Sequence, residues 1–223
     1  MAYILADIIN RVQQRVRDTS YNGDEITQYL NDTQNDIFNE YRLNFMETSQ
    51  DYTTVSNVSD ITNSTGLPDN YLVAIDLVDI SNTNPVIIPY KDIRDLDELY
   101  VSPDTSPTVT TNRPQFWYKY AGTINLYPTP NAAYSLRLRY YKMPTQLADD
   151  SDIPELPYSF QEALVCGAAY RVMQVKDNYD KAAILQNKYD EILQKLVGQT
   201  AVNQVGQSPT QRINRYAVAK RNF

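Results

Sequence analysis

The sequence predicts an α+β protein in which N- and C-terminal helical hairpins form a four-helix unit, with an inserted, mostly antiparallel β module and an extended C-terminal tail. Apolar residues recur at helical spacing near both ends of the chain. In the middle they alternate with polar residues, and turns that contain Gly or Pro separate the segments. A chain of 223 residues is long enough to bury the core that this arrangement needs.

The N-terminal hairpin is assigned to residues 1–48. Residues 3–17 carry a stripe of isoleucine, leucine and valine at helical spacing. A turn at 22–24 follows, and its Asp24 is expected to cap a second helix that ends near Leu43. Because only about six residues join the two helices, we expect them to pack antiparallel.

The inserted β module is assigned to residues 49–148. Pro89 makes the third of its predicted strands an edge strand or ends it, because proline cannot donate a hydrogen bond to a sheet. Trp117, the single tryptophan, lies in an aromatic hairpin with a Gly turn. The predicted elements are strands at 52–56, 72–80 and 86–90, a short helix at 93–100, an exposed loop at 102–114, the hairpin at 113–130 and an alternating strand at 134–142.

The C-terminal hairpin is assigned to residues 149–198 and begins with a Pro- and Asp-rich connector. Its second helix is predicted at 178–197, with Gly198 as the C-cap. Residues 199–223 are polar and lack a helical stripe, so we expect an extended arm that a partner orders. The first helix, at 158–176, carries small residues that allow close helix contact, namely Ala163, Gly167 and Ala168.

Charge is distributed unevenly along the chain. The net charge is −7, yet residues 192–223 contain five basic residues and no acidic one. The preceding residues therefore carry −12. An acidic body disfavours nucleic-acid binding, which needs a basic face, and the basic tail favours docking on an acidic partner. No apolar segment approaches the length that spans a bilayer, so we expect a soluble protein with no membrane partner.

The composition excludes several kinds of active site. The chain has no histidine, which rules out Ser-His-Asp and Cys-His arrangements and a His-based metal site. Its one cysteine, Cys166, lies in an apolar helical segment and is interpreted as core filler. The sequence contains no Gly-rich phosphate loop. We therefore expect no enzyme activity, cofactor or metal, and assembly in a reducing interior.

Acidic and aromatic clusters leave alternatives open. Two acidic clusters are interpreted as solvated loop charge rather than as the paired carboxylates of a hydrolase. They are Asp149, Asp150 and Asp152, and Asp95, Asp97 and Glu98. Alternation places Trp117 on one face of its strand and Phe116, Tyr118 and Tyr120 on the other, so at least one set is core. A ligand platform of exposed aromatic rings is the alternative.

Five short motifs follow one another along the chain. They are Leu-Pro-x-x-Tyr at 67–71, Pro-x-x-Trp at 114–117, Ile-x-Leu-Tyr-Pro-x-Pro at 124–130, Tyr-Tyr-x-x-Pro at 140–144 and Leu-Pro-Tyr-Ser-Phe at 156–160. Together with the helices on either side, they cover roughly residues 3–197. In this order the chain resembles the head-to-tail connector adaptor proteins of tailed bacteriophages, the short-tailed ones in particular.

The resemblance implies a structural virion protein. In it, a ring of about twelve copies joins the portal at the capsid vertex to the tail and leaves a channel for genome ejection. The implied partners are the portal protein, a downstream nozzle or tail-tube protein, other copies of this chain, and DNA that passes without specific binding. The implied location is the head–tail junction of the virion, after assembly in the host cytoplasm.

Family members extend their C-terminal segment onto the portal, and the basic tail fits this role. We assign portal docking to Arg212, Arg215, Tyr216, Lys220, Arg221 and Phe223. The alternative function is a receptor- or carbohydrate-binding module of a virion or surface protein, which requires an exposed aromatic platform around Trp117.

Overall fold

The computed structural model describes residues 3–62, 65–99 and 111–205. These residues form an α+β protein, as the sequence predicts, with five helices and mainly antiparallel strand pairs. They divide into two compact units, each with its own elements. The helical unit comprises the described residues up to Met46 and from Met143 onward, and the β unit comprises those between Glu47 and Lys142.

Helices and strands are named in chain order. The helices are α1 (Leu5–Val16), α2 (Gly23–Glu40), α3 (Ile93–Leu99), α4 (Tyr158–Val175) and α5 (Tyr179–Val205). The strands are β1 (Glu47–Thr53), β2 (Tyr71–Asp79), β3 (Val86–Ile88), β4 (Thr111–Asn112), β5 (Phe116–Tyr120), β6 (Thr123–Tyr127), β7 (Thr129–Pro130) and β8 (Ser135–Lys142).

The start of α2 lies at the predicted turn, but a different residue caps it. The Asn22 side chain accepts a hydrogen bond from the Asp24 backbone N–H at 2.9 Å, so Asn22 and not Asp24 is the cap. Asp24 lies in the first helical turn, where a negative charge is favourable. The helix ends at Glu40 rather than near Leu43, because Tyr41 takes an extended backbone conformation.

The central helix of the helical unit is α4, which contacts α1, α2 and α5. Ala163 and Ala168 are fully buried in it, as expected for small residues at helix contacts. Gly167 lies so close to α2 that an added Cβ would be 2.3 Å from Thr33 Cγ2. The small residues of α4 therefore allow the close helix packing that the sequence predicts.

Helix α5 passes through Gly198 and continues to Val205. The predicted C-cap at Gly198 is therefore wrong. A glycine ends a helix when it takes the left-handed conformation, whereas inside a helix it lowers stability by about 1 kcal/mol relative to alanine without breaking the helix. Because residues 199–205 are helical, an extended arm can begin only after Val205.

The larger sheet of the β unit is antiparallel and has the strand order β1-β8-β2-β3. β1 starts at Glu47, whereas the sequence predicted a strand at 52–56. The prediction missed the first residues of β1 because they are polar and give no alternating apolar signal. β3 is an edge strand and stops before Pro89, as predicted. β8 pairs with β1 and β2, both of which lie far from it along the chain.

The aromatic hairpin β5–β6 forms a separate two-stranded antiparallel sheet. Ala121 and Gly122 join its strands with φ values of 49° and 81°, the left-handed conformations that suit a tight hairpin turn. The hairpin and the larger sheet share one hydrophobic core. Its members include Tyr52, Leu77, Ile88, Trp117, Ile124, Leu126, Leu136, Leu138 and Tyr140.

Candidate interaction surfaces

The larger sheet has an inner face in the core and an outer face that carries charged pairs. Along β8, Arg137 and Arg139 alternate with buried leucines and point outward. Arg137 lies opposite Asp51 of β1 and donates to its carboxylate from Nε and Nη2 at 2.7 and 2.8 Å. Arg139 lies opposite Asp76 of β2 and donates from Nε at 2.6 Å. These bidentate pairs fix both guanidinium groups.

Hydrogen bonding to Arg137 lowers the pKa of the Asp51 carboxyl. The pair is exposed, so its contribution to stability is small. Its structural effect is to hold the Arg137 guanidinium group beside Asp51. Arg137 and Arg139 each keep an Nη1 group for which the described residues provide no hydrogen-bond acceptor.

A groove of about 340 Å³ lies beside these arginines on the outer face. Its apolar lining belongs to the end of β2, the following turn and β3. Ile87 is 59% exposed although it is a large β-branched residue, and its neighbour Val86 is exposed as well. We call this groove the outer groove; it is lined by Val78, Ile80, Pro85, Ile87, Arg137 and Arg139.

The first acidic cluster lies in a loop after β8, where Asp149 and Asp150 are exposed as expected for solvated loop charge, and hydrogen bonds hold this loop. The Asp152 carboxylate accepts hydrogen bonds from the Ala148 and Asp149 backbone N–H groups at 2.8 and 2.9 Å. These hydrogen bonds lower the pKa of Asp152. A general acid of a hydrolase needs a raised pKa, so this carboxyl is not suited to that task.

The backbone of the same loop caps α1. The carbonyls of Asp152 and Asp150 accept hydrogen bonds from Leu5 N–H at 2.8 Å and Ala6 N–H at 3.1 Å. They replace the side-chain cap that Ile4 does not provide. The negative charge near the start of α1 is also favourable for the helix dipole. We call residues 149–153 the acidic loop.

The second acidic cluster lies on the short helix α3. Asp95 is in its first turn. The structure does not describe the side chains of Asp97 and Glu98. Among the residues that the structure describes, no group of histidine, cysteine, aspartate or glutamate side chains could hold a metal ion.

Trp117 is part of the core and is only 4% exposed. Its ring packs edge-on against Tyr90, with 4.8 Å between the ring centroids. Its backbone N–H donates to the Pro89 carbonyl at 3.1 Å, and its carbonyl accepts from Lys91 N–H at 3.0 Å. Tyr118 is also buried, whereas Tyr120 is exposed. A tryptophan enclosed in this way cannot serve as an exposed platform for a sugar or receptor.

Cys166 is fully buried in α4, as its apolar sequence context predicts. Arg15 of α1 donates from Nη1 to its Sγ at 2.9 Å and also pairs with Glu162 at 2.7 Å. Burial raises the pKa of the thiol, which keeps it protonated. The geometry fits core filler and not a nucleophile.

All six residues assigned to portal docking lie outside the described residues, which end at Val205. They are Arg212, Arg215, Tyr216, Lys220, Arg221 and Phe223. Their assignment therefore remains a prediction from the sequence.

We did not predict the outer groove from the sequence, nor the hydrogen bonds that hold the acidic loop. A signal for the groove was present, because Val86, Ile87 and Ile88 are three consecutive β-branched residues in an edge strand, and one of them must face outward. The order of the loop depends on hydrogen bonds to the distant residues Leu5 and Ala6, for which the local sequence gives no signal.

Comparisons with known proteins identify the family. A search of curated proteins finds no match. No helix within the described ranges is long and apolar enough to cross a membrane. The SU10 adaptor protein family matches residues 3–213, which include all described elements of both units. The chain therefore belongs to the SU10 adaptor protein family, a family of bacteriophage head–tail adaptors.

Proposed function

We propose that this chain forms a ring of about twelve copies between the portal and the tail, with a central channel through which the genome leaves the capsid. The observation that carries the proposal is the family match over residues 3–213. This match covers both compact units rather than one short motif. A structural role without catalysis agrees with the buried thiol of Cys166 and with the lowered pKa of Asp152.

The charge distribution supports passage of DNA without binding. The residues before position 192 carry −12, and acidic surfaces repel the phosphate backbone. This repulsion has a range of about 10 Å at 0.1 M salt, so an acidic channel wall keeps DNA from adhering. The residues from 192 onward carry a net charge of +5.

The basic C-terminal segment is the proposed portal-docking arm, and the β unit is proposed to contact neighbouring copies and the nozzle or tail-tube protein below. In terms of the sequence, we propose helical hairpins at 1–48 and 149–198 that pack on each other, an inserted β module at 49–148, and an arm within 199–223. Because α5 reaches Val205, the docking residues proper lie beyond that helix. The protein would act at the head–tail junction after assembly in the host cytoplasm.

A truncation after Val205 tests the docking arm. The shortened chain keeps every described helix and strand, so we expect it to fold with an unchanged circular dichroism spectrum. We expect it to lose co-sedimentation with portal rings, because all six proposed docking residues are removed.

A full-length variant provides the matched control for charge. It carries Arg212→Gln, Arg215→Gln, Lys220→Gln and Arg221→Gln and keeps the length of the arm. Loss of attachment in both variants supports docking through the basic side chains. Attachment of the truncated chain at the wild-type level rejects the docking role, and electron micrographs without rings, with or without portal, reject the adaptor function.

A further inference from the structure

The outer groove combines an apolar lining with two arginines at its border, so it is suited to bind a protruding apolar side chain that has acidic neighbours. Ile87 lines the groove and exposes apolar surface to solvent, so a partner that covers it would remove this surface from water. Arg137 and Arg139 border the groove, and each uses only Nε and Nη2 for its aspartate. Their Nη1 groups can still donate to further carboxylates at the rim.

The acidic loop has the complementary chemistry. Ile153 is 57% exposed, and the carboxylates of Asp149 and Asp150 are exposed beside it. The loop is held by the hydrogen bonds of Leu5, Ala6 and the Asp152 carboxylate. Because these bonds already fix its backbone, little conformational entropy is lost when it binds.

Another exposed apolar residue of the helical unit, Ile184, lacks this pattern. Ile184 is 68% exposed, but Lys181 and Lys188 lie near it along α5. Residues 148–157 contain four acidic side chains and no basic one. The surroundings of Ile153 are therefore electrostatically more favourable than those of Ile184 for a groove bordered by two arginines.

We propose that neighbouring copies of this chain contact each other through the acidic loop of one copy and the outer groove of the next, with Ile153 inserted among Val78, Pro85 and Ile87. This inference rests on the proposed ring. The two surfaces belong to different parts of the chain, so the contact is heterologous. Head-to-tail contacts of this kind generate closed rings when the rotation between copies closes.

Mixing two variants, each with one added cysteine, tests the contact. One protein carries Ile153→Cys and the other Ile87→Cys, and both positions are exposed enough to tolerate the change. Treatment with a short bismaleimide should give a cross-linked dimer only when the two variants are mixed. The native Cys166 is fully buried, so wild-type protein supplies the background level.

A mixture of Ile184→Cys with Ile87→Cys is the matched control, because Ile184 is at least as exposed as Ile153. We expect this mixture to remain at background. Adding Asp149→Lys and Asp150→Lys to the loop variant should lower the cross-linking rate at least several-fold, since the arginine border then meets positive charge.

Absence of the 153–87 cross-link, or an equal yield with the 184 control, overturns the inference whatever the oligomeric state. Electron microscopy of the same samples separates the two proposals. Rings without this cross-link leave the adaptor function standing and reject this contact. Neither rings nor cross-link, with or without portal, rejects both.

Discussion

Replacing Gly167 with alanine perturbs the packing of α4 against α2. The added Cβ would lie 2.3 Å from Thr33 Cγ2, 3.0 Å from Thr33 Oγ1 and 3.2 Å from Tyr189 Cε2. Thr33 is fully buried, and its hydroxyl donates to the Tyr29 carbonyl at 2.7 Å and accepts from Arg171. Rotation of Thr33 away from the new methyl group would break at least one of these hydrogen bonds.

The magnitude follows from three contributions. Overpacking of a core contact is unfavourable by about 1–3 kcal/mol. Loss of one Thr33 hydrogen bond is unfavourable by about 1 kcal/mol. Alanine is a better helix former than glycine by about 1 kcal/mol, which offsets the hydrogen bond. We therefore expect Gly167→Ala to lower the free energy of unfolding by about 1–3 kcal/mol.

Urea unfolding followed by the helical circular dichroism signal measures this change. Gly198→Ala is the control, because Gly198 is also inside a helix but has nothing within 4 Å of the added Cβ. We expect this control to raise stability by about 1 kcal/mol. Combining Gly167→Ala with Thr33→Ser, which removes Cγ2, should restore most of the loss. A Gly167→Ala protein as stable as wild type would refute the packing argument.

Two further predictions concern single side chains. Emission of the single Trp117 should be blue-shifted and weakly quenched by acrylamide, because the ring is buried; strong quenching would restore the ligand-platform hypothesis. The pKa of Asp18 should be about 2 by NMR titration, because Lys176 and then Ser20 donate hydrogen bonds to it. Since folding lowers this pKa, the contact stabilises the fold at pH values above the ordinary aspartate pKa of about 4. The stabilisation is lost as the pH falls through the pKa of the folded protein. Lys176→Met should therefore raise the pKa, and an unchanged value would contradict the contact.

Local sequence patterns predicted where the helices and strands lie better than they predicted which strands pair with each other. The stripe of α1 and the alternation of β8 are properties of one segment, so the sequence alone indicates them. The pairing of β8 with β1 and β2 depends on contacts between residues far apart in sequence. The polar strand β1 shows this best, because only its end at Tyr52 carries an apolar signal.

Turn and cap residues were predicted less reliably because several residues can do the same task. Asn22 and Asp24 are both good cap residues, and the choice depends on where the first helical hydrogen bond forms. Gly198 is compatible with a cap or with a helix interior, and the helix continues through it. The docking residues Arg212 to Phe223 lie beyond Val205, so the sequence remains their only basis.

The connector after β8 shows how a loop composition can conceal order. Its many aspartates and prolines indicate a solvated linker, yet its polar backbone groups find partners on two helices. Asn31 of α2 bonds both the N–H and the carbonyl of Leu147, at 2.8 and 3.0 Å. The carbonyls of residues 150 and 152 accept from the first N–H groups of α1. Hydrogen bonds of this kind hold the backbone of the segment in one conformation, so the surface that it carries is suited to a repeated contact between identical copies.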